Sequence, residues 1–525
     1  MEPQGAPWDR RRLLESAAAL SAGSLLSACS SSDSSAAHPE HAGAWTVRTE
    51  NDQPGDRDWR LRDPAGGRAS HRAIEGYADR VSVLPGEPVR LFVSTTDRTF
   101  RAEAFRMGWY GGARARRVWA SGRLPGREQP MPEPRGETRT VSAAAWRTSA
   151  RIPTAHWPEG AYLVRLTAEG GAQRYVPLTV RSHRTAGRVV LVNAVATWQA
   201  YNTWGGHSLY YGPGGKADYA GRALAVSCDR PYDRDGARLF LVYEQPVIAL
   251  AERLALPLAY VTSMDVDRQP DLLAGARAVV SLGHDEYWTP AMRQRITTAR
   301  DAGTNVAFLG ANACFRRIRL EESAHGERRL VVCYKTDWPK DPLHGTDDAA
   351  VTTDWREPPH ARPENSLTGT FYEATGASAA YRVTAPDHWL FAGTGVRRGS
   401  RFPHLVGTEY DRVTGAPQTP RPIEILAHSE LVCHDVRSYH NSAYYTAASG
   451  AGVFNTGTMR WVESLNGDGA HGIPPATARF TGGVTRNLLH AFAAGPAGRR
   501  HPARDNLAAY HPYAGDPVWT RHDLW

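Results

Sequence analysis

Ala278-Val279-Val280-Ser281-Leu282-Gly283-His284-Asp285-Glu286-Tyr287-Trp288 begins as an apolar run and turns abruptly polar and aromatic. A short apolar run closed by glycine predicts a strand buried on both faces, as in a parallel sheet. Upstream, Val189-Val190-Leu191-Val192 is a second such run. It leads towards Ala200-Tyr201-Asn202-Thr203-Trp204-Gly205-Gly206-His207-Ser208-Leu209-Tyr210. In open α/β sheets, ligands sit in the crevice beyond the carboxyl ends of the strands. Both loops therefore place Tyr, His, Asp and Glu side chains where such folds do chemistry.

Outward from these runs the chain alternates strand and helix signals. Residues 245–254 read as a helix, 258–262 as a strand, and 269–274 as a short helix ended by Gly275. Pro290 is well placed to start a helix over 290–302, and Asn305-Val306-Ala307-Phe308-Leu309-Gly310 is the next strand. This order predicts a mostly parallel, doubly wound sheet. Residues 316–400, rich in Pro and charge, read as an excursion over one edge. The sheet is expected to resume at 404–407, 424–427 and 452–455, with a closing helix over 476–493. Before Arg188 the runs are shorter: Arg80-Val81-Ser82-Val83 and Val89-Arg90-Leu91-Phe92-Val93 flank a Pro-Gly turn, and Tyr162-Leu163-Val164-Arg165-Leu166 follows. Short alternating strands with regular turns predict a β-sandwich-like domain.

With 525 residues, the chain exceeds what one core normally supports. The expected division is a signal over 1–29, a tether over 30–43, the β-sandwich-like domain over 44–182, the α/β catalytic domain over 183–498 and a tail over 499–525. Arg10-Arg11-Arg12 precedes a short apolar stretch that ends in Leu26-Ser27-Ala28-Cys29, the layout of a twin-arginine signal with a bacterial lipobox. Export and a lipid anchor at Cys29, on the extracellular face of a bacterial membrane, are the expectation. The net charge of +8 comes from scattered arginines without a basic helix or finger motif, so no nucleic-acid partner is expected. Cys228, Cys314, Cys333 and Cys433 are even in number, which permits disulfides in an exported chain.

Three chemistries can be set against the loops. A thiol enzyme would use Cys314 in Gly310-Ala311-Asn312-Ala313-Cys314, although no base is placed beside it by sequence. A zinc hydrolase would show paired histidines, and HExxH is absent. The third is a metal held by oxygen. Tyr201, Glu286 and Tyr243, in Leu241-Val242-Tyr243-Glu244-Gln245, are placed at or near strand ends, and phenolate and carboxylate oxygens favour a hard ion such as Fe(III). The plain alternative is that these tyrosines pack their rings and bond through their hydroxyls to backbone.

The two loops, with Ser227, Arg230-Pro231-Tyr232, Phe308-Leu309-Gly310-Ala311-Asn312 and Arg106-Met107-Gly108-Trp109-Tyr110-Gly111-Gly112, resemble the large (beta) subunit of N,N-dimethylformamidase over nearly all of the mature chain. The resemblance implies a glutamine-amidotransferase-like sheet and a mononuclear non-haem Fe(III) site of two tyrosinates and one glutamate. By motif order these fall on Tyr201, Tyr243 and Glu286. It further implies catalytic roles for His284 and Asn312 and an acid/base glutamate, with Glu409 the first choice and Glu424 the second. Trp204, Tyr210 and Trp288 are placed to wall a small pocket, or to pack. The implied activity is hydrolysis of a small amide. The family enzyme works with a separate small subunit, so a missing subunit or a homo-oligomer is a possible partner. The rival is a non-catalytic exported protein that binds a surface polysaccharide.

Overall fold

Apolar side chains alternate along the Val189–Asn193 strand, and both sets are buried. Val189 and Leu191 join one buried cluster with Val247, Ile248, Val484 and Leu488, whereas Val190 and Val192 join another with Val266, Met292 and Ile296. Helices thus cover both faces of the sheet to which this strand belongs, as period-2 burial requires.

The computed structural model describes residues 45–62, 72–215 and 218–510. The signal, the tether, Cys29 and residues 511–525 of the tail lie outside the described residues. Seven strands form the main sheet in the order Leu258–Thr262, Val189–Asn193, Ala278–Ser281, Asn305–Phe308, Gly452–Asn455, Val436–Thr446 and Ile423–Cys433. The first five are parallel, with Val189 opposite both Leu258 and Ala278. The last two run antiparallel, because Cys433 and Val436 are joined by a hairpin too short for a crossover. The sheet is therefore mixed. Strand order reverses at Val189–Asn193, which has its sequence successor on one side and the Ala278–Ser281 strand on the other. That reversal opens a crevice at the carboxyl ends of the two strands.

Three expectations need correction. The short helix lies at Ser263–Arg268, not at 269–274, because Thr262 accepts from the backbone N–H of Asp265 and the Asp265 carboxylate reaches back to Thr262. Residues 404–407 do not join the main sheet. They belong to the Arg401–Arg412 strand, which pairs with Phe371–Arg382 in a separate two-stranded ribbon. The latter strand, rich in Ala, Gly and Ser, has weak β propensity and so reads as excursion. Tyr243 ends the Arg238–Tyr243 helix rather than a strand. An apolar run this short does not distinguish the two by periodicity.

Before residue 182, a six-stranded sheet built on Thr99–Met107, Gly160–Ala168 and Gln173–Val180 shares a buried cluster with a three-stranded sheet of Ile74–Ala78, Val89–Thr95 and Ala150–Ile152. Its other face contributes Phe105, Met107 and Leu163 to the cluster that holds Val189 and Leu191. Arg106 and Glu252 form a fully buried ion pair across this junction, 2.5 Å apart. The Tyr260 hydroxyl donates to the same carboxylate, and Tyr110 accepts from Arg106. Among the described residues, no helix is long and apolar enough to cross a membrane. Cys228, Cys314, Cys333 and Cys433, whose even number permitted disulfides, are each free and buried.

Candidate functional site

The crevice is built by three strand ends. Val189–Asn193 runs into the Val195–Tyr201 helix, which is oriented by the buried Glu244 carboxylate. Glu244 accepts from Asn193 Nδ2 at 2.6 Å, Ala194 N at 3.0 Å and Trp198 Nε1 at 2.7 Å. Burial outweighs these bonds and raises its pKa to about 8. Thr197 Oγ1 accepts from the backbone N–H groups of Glu286 and Tyr287 at 3.1 and 3.2 Å, tying the helix to the loop beyond Ala278–Ser281. Gly283 permits close approach: a Cβ there would lie 2.4 Å from the Tyr243 carbonyl oxygen.

The segment after Tyr201 folds back on itself. Gly205 and Gly206 have φ of 77° and 84°, a turn that L side chains resist. Leu209 N then donates to Ala200 O, and Ser208 Oγ accepts from Tyr210 N and Tyr211 N. This places the Tyr210 ring 4.6 Å, centroid to centroid, from that of Tyr201. The Tyr201 hydroxyl lies 2.6 Å from Glu286 Oε2, the Tyr210 hydroxyl 2.5 Å from Oε1, and the two hydroxyls are 3.1 Å apart. Arg316 Nε reaches Oε1 at 3.1 Å. Burial would raise the Glu286 pKa, but the Arg316 guanidinium above all holds it below the ordinary carboxylate value. Burial and the Glu286 charge push both phenols well above theirs.

His284 stands between two carboxylates. Its Nε2 is 3.8 Å from Glu286 Oε2 and its Nδ1 3.9 Å from Glu409 Oε2. Burial lowers its pKa to about 4 despite Glu286, so the ring is neutral near pH 7. Glu409 arrives from the two-stranded ribbon, where it faces Thr375. Burial first, and then the Glu286 charge, raises its pKa well above the usual range. Asn312 Nδ2 donates to Glu409 Oε2 at 3.2 Å, while its backbone N–H donates to Asp411 Oδ1 at 2.8 Å in a left-handed conformation.

Tyr201, His284, Glu286, Asn312 and Glu409 thus converge. Tyr243 sits apart from the Glu286 hydrogen bonds, its ring 5.7 Å from that of His284. Glu424 is elsewhere, 3.9 Å from His388 and accepting from Arg504 N. Arg412 pairs with Glu373 rather than with Glu409. Trp204 and Trp288 pack, with their indole N–H groups donating to Glu75 and to the Asp285 carbonyl. Cys314 is fully buried, and burial pushes its thiol up to about 12, away from the reactive thiolate.

Sequence reasoning missed three participants: Tyr210 as a polar partner, Arg316, and Lys335. The last is fully buried, with Nζ 3.2 Å from the centroid of the Tyr210 ring and no hydrogen-bond partner. Only the tight turn at Gly205-Gly206 hinted at Tyr210, and no local pattern marks the other two. Among the described residues there is no cluster of three His, Cys, Asp or Glu suited to a metal. The three acidic oxygens on Tyr201, Tyr210 and Glu286 are nonetheless the donor chemistry that a hard trivalent ion takes. Tyr201 and Glu286 fit such an ion; Tyr210 is the second phenol hydrogen-bonded to the carboxylate, while Tyr243 lies against the His284 ring.

The family model described as N,N-dimethylformamidase beta subunit-like, C-terminal, matches residues 101–474. No curated protein matches the chain. Among solved structures, a Paenibacillus sp. cycloisomaltooligosaccharide glucanotransferase complexed with cycloisomaltoheptaose is 16% identical over 24% of this chain and 17% of its own, with a TM-score of 0.14. So slight a likeness carries no argument.

Proposed function

Because this chain belongs to the N,N-dimethylformamidase beta subunit-like family, we propose that it hydrolyses an amide C–N bond at a mononuclear iron held by Tyr201, Tyr210 and Glu286. The observation that carries this reading is the triangle of two phenol oxygens and one carboxylate, with contacts of 2.5 to 3.1 Å at a buried strand-end crevice. The protons that now bridge those oxygens are the ones a cation displaces on binding. Iron bound there would polarise the amide carbonyl as a Lewis acid.

The chain's own groups supply the rest. His284, neutral and between two carboxylates, takes a proton from the attacking water. Glu409, kept protonated by burial, delivers a proton to the departing amine nitrogen. The Asn312 side-chain amide donates to the oxygen that gains charge as water adds to the carbonyl carbon. Arg316 keeps Glu286 ionised and correctly turned.

A visible absorption spectrum and elemental analysis of the protein lacking residues 1–29 test this reading. The expected result is a tyrosinate-to-Fe(III) band, about one iron per chain and cleavage of N,N-dimethylformamide. Tyr201→Phe and Glu286→Gln are expected to remove both colour and turnover. A colourless protein that takes up no added Fe(III) and cleaves no amide overturns it.

A further inference from the structure

A cavity of about 280 Å³ lies beside the Val195–Tyr201 helix, bounded by the first turn of the Arg238–Tyr243 helix and by residues 232–237. Tyr201 is common to the cavity wall and to the oxygen triangle. Part of the remaining wall is aromatic: the Trp198 ring stands edge-on to Tyr232 at 6.3 Å and to Phe240 at 5.9 Å. The Trp198 indole N–H is committed to Glu244, so the ring is held by the same carboxylate that orients the helix.

The loop that closes the cavity is prebuilt. Asn202 Oδ1 accepts from Trp204 N and Asp233 N, and its Nδ2 donates to Pro231 O. The buried Arg230 guanidinium donates to the carbonyls of Asn202, Trp204 and His207. Two exposed guanidiniums, Arg234 and Arg238, line the cavity. Two carboxylates lie near them: Asp233 already accepts from Thr203 N and its hydroxyl, and Asp235, which interacts with Arg238, accepts from Ala237 N. An apolar slot with paired guanidiniums is complementary to an aromatic or branched body that bears a carboxylate. N,N-dimethylformamide would leave most of this volume empty.

We propose that this cavity is the side pocket of the active site and that the preferred substrate is an amide carrying an apolar, aryl-sized group and a carboxylate. The proposal rests on the amide-hydrolase reading. In hydrolysis the water oxygen bonds to the carbonyl carbon as His284 takes one water proton, the C–N bond breaks as the amine leaves with the Glu409 proton, and the proton on His284 then restores Glu409. The carboxylate of the substrate takes no part in that step and serves binding alone.

N-benzoylglycine is the probe, because it combines an aryl group, an amide and a carboxylate. Calorimetric titration of the iron-free protein with it, and with benzamide as its uncharged counterpart, reads binding without turnover. The wild-type chain is expected to bind N-benzoylglycine more tightly than benzamide. In Arg234→Ala/Arg238→Ala that advantage should fall by about tenfold or more. Leu239→Trp, which fills the cavity from a half-buried position, should weaken both probes. Failure of N-benzoylglycine to bind, or binding indifferent to all three substitutions, overturns the proposal. Hydrolysis is scored separately for N,N-dimethylformamide and N-benzoylglycine. Cleavage of the former without binding of the latter sinks the pocket and spares the amidase. Arginine-dependent binding with no amide cleaved supports the pocket and sinks the amidase.

Discussion

Tyr210 and Tyr243 lie on opposite sides of the question of which phenol accompanies Tyr201. Tyr210 is 2.5 Å from Glu286, whereas Tyr243 contacts the His284 ring. Tyr210→Phe is therefore expected to abolish or strongly shift the iron band, and Tyr243→Phe to leave it in place; the reverse pattern would return the ligand to the helix end. Asn312→Ala should lower kcat by about 10²-fold with a smaller change in KM, the signature of a donor used most in the transition state. Lys335 costs stability, since its amine is buried over a ring with no hydrogen-bond partner. Lys335→Met is expected to raise the melting temperature of the iron-free protein, by the equivalent of about 1–3 kcal/mol, while impairing turnover. A variant that melts lower would show that the amine supports the fold. That Tyr201, His284, Glu286 and Asn312 would gather in one crevice was legible because each follows a recognisable strand. Tyr210, Arg316 and Lys335 were not, because their roles depend on chain reversals and long-range pairings that no local period encodes.

The elements that position these residues are joined by buried polar links. Arg106, on the Thr99–Met107 strand, meets Glu252, on the Gln245–Arg253 helix, with neither side chain exposed. Glu252→Ala leaves a buried guanidinium without its carboxylate and should cost about 3–5 kcal/mol, read by denaturant unfolding. Arg106→Met combined with Glu252→Leu should recover much of that loss; failure to recover would mean that Tyr110 and Tyr260 are the dominant partners. The Val436–Thr446 strand carries His440, whose Nε2 donates to Thr456 O at 2.9 Å. Burial lowers its pKa from 6.5 to about 4. With the folded value below the unfolded one, the unfolded chain binds the extra proton first. Its contribution, up to about 3 kcal/mol, is present above pH 6.5 and is lost as pH falls towards 4. Stability measured from pH 7 to pH 4 should decline, and less steeply in His440→Gln; equal slopes would remove His440 from the account. At this scale, helices with a clear start or long apolar periodicity matched their sequence signals: Pro290–Asp301 begins at its proline behind the Thr289 cap, and Thr477–Ala493 follows its apolar period. The Phe371–Arg382 strand escaped because its stability comes from pairing with Arg401–Arg412, not from its composition.

At the scale of the whole molecule, the free cysteines and the amino-terminal segment make separate predictions. Cys228, Cys314, Cys333 and Cys433 are buried and unpaired, so their thiols should resist a disulfide reagent in the native protein and all react after unfolding. Ready reaction of the native protein would contradict their burial. Attachment at Cys29 is proposed from the lipobox; fatty-acid labelling of the full chain should occur and be lost in Cys29→Ser. The sequence by itself determined the α/β class, the strands at 189–192 and 278–282, and the polar, aromatic loops beyond their ends. Burial on both faces demands uninterrupted apolar runs, and polar loops that follow them stand out. Only the tertiary structure decided that Val189–Asn193 lies between its neighbours so that the crevice opens there. It also decided that Glu409 descends from a separate ribbon, and that Tyr210 rather than Tyr243 shares the Glu286 carboxylate. Strand order, ribbon docking and loop reversal depend on contacts between residues far apart in the chain. Local periodicity reports which face a side chain prefers, but not which partner it meets.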